Sequence, residues 1–485
     1  MNIAGRMNIF LEEAGTLLGQ RGLVTDAELI SPWLTDWRGR YHGRAVAMAL
    51  PGSTEEVSAL VKLCACHGVA VVPQGGNSGM CGGATPDSSG AQLLLSLRRM
   101  DAVRTLDANA RQVTCEAGVI LENLHGIVEA EGLRFPLSLG GKGSATVGGL
   151  ISTNAGGTQV LRHGTMRAQV LGLEAVLADG SVWSALTPLR KDNRGFDLKQ
   201  LLIGSEGTLG IITAATLRLV PAVAERIVVW AGVGSIHDAR ALLLHGEERL
   251  GAEMEGFEVM PEATLRAVLD YLPDARAPLE GGHPWHVLIE VVADRAGAAG
   301  LRERTETALA EAFAGGLVRD AVLSASEAQA ETFWMLRESV APAERAKGPA
   351  VQHDISVPVE RMHDFIEEAV ATMERRHPGT EAVAFGHLGD GNVHFHVIAP
   401  KGAVPGVWRE AEGKAISAEV YDMVAAWGGS ISAEHGIGQA KLEELERLGD
   451  PVSLSLLRQV KAALDPQGIL NPGKLVRLAP SRATA

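Results

Sequence analysis

Cysteine is scarce in this chain: 485 residues contain four, Cys64, Cys66, Cys81 and Cys115, all in the first quarter. With no second pair at zinc-ribbon spacing, they read as reduced thiols, mostly packing residues. Long hydrophobic runs are missing too. No stretch approaches eighteen apolar residues, which excludes an expected membrane-spanning helix. The N-terminus, Met1-Asn2-Ile3-Ala4-Gly5-Arg6, soon reaches Glu12 and Glu13 without the apolar run of a signal peptide. Positive charge is in deficit, 44 basic against 58 acidic residues for a formal charge of -14. Neither nucleic acid nor an anionic membrane surface is therefore an expected partner. These absences predict a soluble, cytoplasmic protein. No internal repeat, Walker A motif or Rossmann Gly-x-Gly-x-x-Gly leading into a helix occurs, which argues against an NTPase and a standard NAD site.

What the chain does have is glycine and histidine in particular places. At this length roughly three domain-sized units are expected. In Gly386-His387-Leu388-Gly389-Asp390-Gly391-Asn392-Val393-His394-Phe395-His396 three imidazoles share one short segment. On a strand of period two, His394 and His396 leave the same face, while Val393, Phe395 and Val397 enter the core. A turn through Gly389, Asp390 and Gly391 folds His387 back toward His394, a paired-imidazole site lacking only a carboxylate. Glu434, in Ser432-Ala433-Glu434-His435-Gly436-Ile437-Gly438, is the candidate. One such histidine alone is an ordinary polar residue at a strand edge. Three together with a glycine-framed Glu-His pair point to an enzyme.

Ser53-Thr54-Glu55-Glu56 is a capping box, and Val57, Leu60, Val61 and Cys64 follow at helical spacing, predicting a helix from Thr54 to His67. A buried strand, Val69 to Val72, then leads into Pro73-Gln74-Gly75-Gly76-Asn77-Ser78-Gly79-Met80-Cys81-Gly82-Gly83. Five glycines there let the backbone approach a ligand and offer a nest of N–H groups suited to a pyrophosphate. Pro136 to Gly149, continuing to Gly157, and Ile203 to Ile211 repeat the device, each placed beside strands and read as loops too rich in glycine for a packed element. Three such loops suggest one extended ligand, and FAD fits better than a mononucleotide. After Pro221 the pattern changes to strands at Arg226 to Gly232, His286 to Val292 and Val351 to Val357, separated by amphipathic helices such as Ala298 to Ala314 and Val359 to Arg376. This predicts an α+β cap with an antiparallel sheet. Gly281 to Pro284 and Lys401 to Gly406 read as surface loops and Arg477 to Ala485 as a frayed tail.

These loops and the histidine segment, with Trp33-Leu34-Thr35-Asp36-Trp37 and Leu464 to Lys474, resemble the vanillyl-alcohol-oxidase type of FAD-dependent oxidoreductases, in their 2-hydroxy-acid dehydrogenase branch. The resemblance covers nearly the whole chain. It implies an α+β protein with a vanillyl-alcohol-oxidase (PCMH) type FAD-binding domain over residues 1–220. Residues 221–485 would form the substrate-binding cap and C-terminal region, with about 431–485 packing back on the FAD domain.

The resemblance also assigns residues. FAD would be held by Pro73, Gln74, Gly75, Gly76, Asn77, Ser78, Gly79, Gly82 and Gly83, and by Leu139, Gly140, Gly143, Ser144, Gly148, Gly149, Asn154, Gly156 and Gly157. Glu206, Gly207, Ile211 and Asn471 would complete its site. Some relatives attach flavin through a histidine in the first loop; this loop has none, so FAD is expected to be non-covalent. His387, His394 and Glu434 match the metal ligands of the 2-hydroxyglutarate branch, for zinc or manganese, His435 the acid-base residue and Arg337 the arginine that grips a substrate carboxylate. Two positions depart from that branch: Gln352 stands for a lysine near the distal carboxylate, and His396 for an asparagine near the metal.

The implied reaction is oxidation of a D-2-hydroxy acid, D-2-hydroxyglutarate first and D-lactate or glycolate as alternatives. An electron-transfer flavoprotein or a quinone is the expected acceptor, and a homodimer is compatible with it. A metal-dependent hydrolase would leave the glycine loops unexplained. A non-catalytic flavin subunit would leave the retained His435 unexplained.

Overall fold

The computed structural model describes residues 3–189 and 191–478. Met1 and Asn2 of the N-terminal reading, and the expected tail beyond Leu478, lie outside the described residues. The chain forms two compact units. The first comprises Met1–Gly156, Thr165–Val220 and Glu434–Ala485, and the second Gly157–Gly164 and Pro221–Ala433.

In the first unit, Ser53 caps the helix Thr54–His67 by accepting from the Glu56 N–H, while Glu56 reaches back to the Gly52 N–H. Val57, Leu60, Val61 and Cys64 are fully buried, each of the aliphatic ones contributing about 1.5–3 kcal/mol. The strand that follows is Val71–Gln74, two residues later than the apolar run suggests, because it pairs in parallel with Leu93–Ser96. Leu93–Ser96 also pairs in parallel with Ala47–Ala49, and Leu23–Val24 completes a four-stranded sheet. A second, five-stranded sheet is antiparallel, in the order Val103–Asp107, Gln112–Glu116, Ile211–Arg218, Val170–Val176, Val182–Ala185.

The expected loop at Gly148 and Gly149 is instead the helix Val147–Thr153. Its propensity is poor, but tertiary contact overrides it. Val147 and Gly148 donate to the carbonyls of Val119 and Ala117, and a Cβ at Gly148 would sit 2.7 Å from that of Ala117. Ile203–Ile211 likewise follows a helical turn, Lys199–Leu202, rather than a strand.

The second unit is built on seven strands: β1 (Glu225–Val233), β2 (Met254–Pro261), β3 (Trp285–Ala293), β4 (Asp320–Leu323), β5 (Ala350–Ser356), β6 (Glu381–His387) and β7 (Asn392–Ile398). They form one antiparallel sheet in the order β4-β1-β3-β2-β6-β7-β5. Helices α1 (Ile236–Leu250), α2 (Glu262–Tyr271), α3 (Leu301–Ala314), α4 (Glu327–Glu338), α5 (Val340–Lys347), α6 (Met362–Arg376) and α7 (Lys414–Ala426) surround it. Leu288, Met260 and Trp230 on one sheet face pack with Phe333, Trp334 and Leu336 of α4. On the opposite face Phe395 meets Phe365 of α6, and His353 meets Tyr421 of α7. Here the sequence reading shifts only at edges: α3 starts at Leu301, a 3-10 turn Val359–Arg361 precedes α6, and the Lys401 loop runs into a helical turn Pro405–Trp408. No helix of the described residues is long and apolar enough to cross a membrane.

Candidate active site

β6 and β7 form a hairpin in which His387 pairs with Asn392, Phe385 with His394, and Val383 with His396. Directly paired residues share a face, so His387, His394, His396 and Phe385 stand together. The His387 and His394 rings lie 5.6 Å apart at 68°. Phe385 touches both His394 and His396 at 5.1 Å, and the guanidinium of Arg337, from α4, lies over it at 5.1 Å.

On β2, Glu258 pairs with His387 across the sheet. Its Oε1 lies 3.1 Å from His387 Nδ1, and its Oε2 lies 2.8 Å from both Nε and Nη2 of Arg337. Burial pushes the Glu258 carboxyl up, but Arg337 and His387 outweigh it and hold it below its ordinary value. Burial, then Arg337 and His387, push His394 well below its ordinary value. Its neutral ring is the form that binds a metal. Two imidazoles beside a buried carboxylate fit a first-row divalent metal, and the Glu258–His387 contact is the outer partner that orients such a ligand.

The sequence reading did not single out Glu258. Its one signal is a carboxylate inside the apolar run Phe257-Glu258-Val259-Met260. Nor did it foresee that Arg337 holds a buried carboxylate partner.

Gln352 on β5 pairs with His396 of β7, and Asp354 with His394. Asp354 accepts from the Asn392 side chain at 2.9 Å. His396 Nδ1 makes a close hydrogen bond with the buried Glu344 of α5. His396 therefore already has a carboxyl partner.

The first unit carries the glycine loops. Among the described residues, none accepts a hydrogen bond from the backbone N–H groups of residues 75–80. That row of donors fits the pyrophosphate of FAD. Gly76 allows the loop to reach the second one: a Cβ there would lie 1.7 Å from the Ser144 carbonyl oxygen. Several side chains assigned to the cofactor also tie loops together. Gln74 donates to Trp33 and Ala84, Asn77 to Thr35, and Asn471 to Gly83 and Glu206 carbonyls, while Asn154 accepts from Thr165 and Arg167. Pro73 lies within the strand before the loop, Leu139 precedes the turn that runs from Gly140 through Gly143, Gly156 closes a segment of the first unit and Gly157 opens one of the second.

Glu206, at φ 52°, accepts from the N–H groups of Ile437 and Gly438 at 2.7 Å each. Its carboxyl is raised by burial, which outweighs those two bonds. Cys81 donates to the Gly436 carbonyl and accepts from the Gln439 N–H. The turn carrying His435 is thus fastened to the first and third glycine loops. Glu206 is a positioning residue for that turn, a role its place in a glycine loop did not suggest. Cys64, Cys66, Cys81 and Cys115 are free thiols, and burial pushes that of Cys115 up to about 12.

Residues 45–185 match the FAD binding domain, and residues 223–475 match the C-terminal domain of FAD linked oxidases. The chain is therefore an FAD-dependent oxidoreductase and belongs to the FAD-linked oxidase family. It is 38% identical over 467 residues to a probable mitochondrial D-2-hydroxyglutarate dehydrogenase of Oryza sativa, covering 95% of this chain and 80% of that one. A D-2-hydroxyglutarate dehydrogenase of Xanthomonas citri is 37% identical, covering 93% and 94%. A putative mitochondrial D-lactate dehydrogenase of Schizosaccharomyces pombe is 34% identical, covering 95% and 88%. In fold the chain resembles p-cresol methylhydroxylase, at a TM-score of 0.74 with 15% identity over 98% of this chain and 97% of that one. The architecture is thus the vanillyl-alcohol-oxidase type.

Proposed function

We propose that the protein oxidises a D-2-hydroxy acid, D-2-hydroxyglutarate before D-lactate or glycolate, to the 2-oxo acid. The reading rests on the His387–His394 pair with Glu258 beside it on one sheet face and Arg337 of α4 ion-paired to Glu258. His387 and His394 are the proposed ligands of a zinc or manganese ion. Glu434 is the third. The chain leaves the second unit at Ala433, whose N–H donates at 3.4 Å to the carbonyl of Asp354, the strand partner of His394. Glu434 follows by one peptide bond. FAD, when bound, would supply the acceptor for a hydride from C2, and a bound metal would make the substrate hydroxyl more acidic.

The chain's own residues do the rest. His435 accepts the hydroxyl proton, so the proton and the hydride leave the substrate together as a two-electron oxidation. Arg337 turns its remaining nitrogen, Nη1, to the substrate C1 carboxylate while Glu258 keeps the guanidinium in place. Gln352 and His396 stand at the distal end. The electrons removed from the substrate would go on to an acceptor such as an electron-transfer flavoprotein or a quinone.

A second reading, D-lactate, is favoured by one observation: Gln352 is uncharged and His396 is already paired with Glu344. The test is anaerobic mixing of purified protein with each acid while following the flavin bands near about 370 and 450 nm. Bleaching by D-2-hydroxyglutarate, lost in His394→Ala together with bound metal but with FAD retained, is expected. A His394→Ala protein with full metal content would end the ligand assignment, and absence of bleaching by any 2-hydroxy acid would end the substrate class.

A further inference from the structure

A second cluster of metal-ligating side chains lies on the surface of the second unit, where α1 and α6 both begin. His237 is the second residue of α1, and His363 and Asp364 are the second and third of α6. One ligand atom from each of these three lies within 4.8 Å of the other two. The two rings meet edge to face at 4.6 Å and 81°. His237 Nε2 is 4.0 Å from Asp364 Oδ1 and 3.3 Å from Glu367 Oε2, and His363 Nε2 is 3.6 Å from Asp364 Oδ1. Ligands about 2.0–2.1 Å from a tetrahedral ion stand roughly 3.3 Å apart, so only small rotamer adjustments separate these atoms from a coordination shell. His363 Nδ1 is buried without a hydrogen bond, so the polar partners of that ring are all on its Nε2 edge.

We propose that His237, His363 and Asp364 form a second divalent-metal site, of zinc type, with Glu367 or water in the fourth position. Two imidazoles and a carboxylate are the donor set of zinc, while an oxygen-only site would be needed for calcium or magnesium. The helix N-termini oppose a cation there, as does Arg240 one turn along α1, but Asp364 and Glu367 bring two negative charges against them. An ion would join α1 to α6 and stabilise the second unit without touching the His387 segment.

The probe is Zn²⁺ added to the FAD-loaded enzyme. His237 is half exposed, at 49% for its side chain, so His237→Gln is expected to fold as wild type does and to keep its flavin spectrum and turnover. Wild type should bind about one more equivalent of Zn²⁺ per chain than His237→Gln in competition with a colorimetric chelator. Its melting temperature should rise by several degrees at saturating Zn²⁺, with the rise lost in the variant. His363→Asn, which keeps a polar group of similar size, should behave the same way. Cu²⁺ bound at this site in wild type should show coupling to two imidazole nitrogens. Equal stoichiometry and affinity in wild type and both variants would overturn the proposal. So would a Zn²⁺-induced rise in melting temperature that survives both substitutions.

Discussion

Glu258→Gln is the most informative single change, because one carboxylate serves two partners. Its side chain is 1% exposed and that of Arg337 12%, so water cannot replace the lost charge. Removing one member of a buried ion pair costs about 3–5 kcal/mol. Glutamine keeps the volume and one acceptor, which places the expectation near the lower end, about 3 kcal/mol. For a unit of this size that corresponds to a melting temperature lower by roughly 6–12 °C. Metal affinity should fall by about 10–100-fold, since His387 loses the partner that orients it, while FAD, held in the other unit, should remain bound. The pH dependence carries a sign. The folded carboxyl titrates below its ordinary value of 4.5, so its contribution is complete above that value and disappears as pH falls through the folded one. Wild type should lose its advantage over Glu258→Gln in that acidic window. Melting curves of both proteins between pH 3 and 8, with metal content measured in parallel, check this. A variant that melts within a degree of wild type and holds its metal equally well would refute the reasoning.

Two further outcomes are expected. His435→Ala should keep flavin and metal but reduce flavin about 10² to 10⁴ times more slowly in a single turnover; unchanged reduction would make His435 a structural member of its turn. Gln352→Lys should raise kcat/KM for D-2-hydroxyglutarate relative to D-lactate by about tenfold, the difference between a charge-assisted and a neutral hydrogen bond. A ratio indifferent to the substitution would remove Gln352 from the distal end of the substrate.

The parts of the site legible in the sequence are those written in local pattern. Alternation put His394 and His396 on one face, and the glycine turn returned His387 to His394. Glycine density located the loops of the first unit. What stayed hidden depends on pairing between distant strands. Glu258 lies far from His387 in the chain, and only the antiparallel register of β2 and β6 makes them neighbours. Glu344 reaches His396 from a helix, and Phe385 becomes a shared contact of three site residues only once α4 is packed above it. The helix Val147–Thr153 was illegible for a related reason: its own residues favour a loop, and the neighbouring Ala117 decides otherwise.

The sheet face of the second unit has a consequence for how such an enzyme changes its diet. Gln352, Asp354, Phe385, His394 and His396 occupy alternate positions on three adjacent strands, and their backbones are fixed by cross-strand hydrogen bonds whatever side chains they carry. Positions 352 and 396 can therefore be exchanged one at a time without disturbing the backbone, each altering a single point of that face, whereas the neighbouring His394 is tied to its proposed ligand role. The odd-numbered positions of β5 and β7 are committed to the core on the other side. The turn that carries His435 is fastened elsewhere, to Cys81 and Glu206. Selection for a new hydroxy acid can thus work on a few interchangeable tiles while the machinery of electron removal stays untouched.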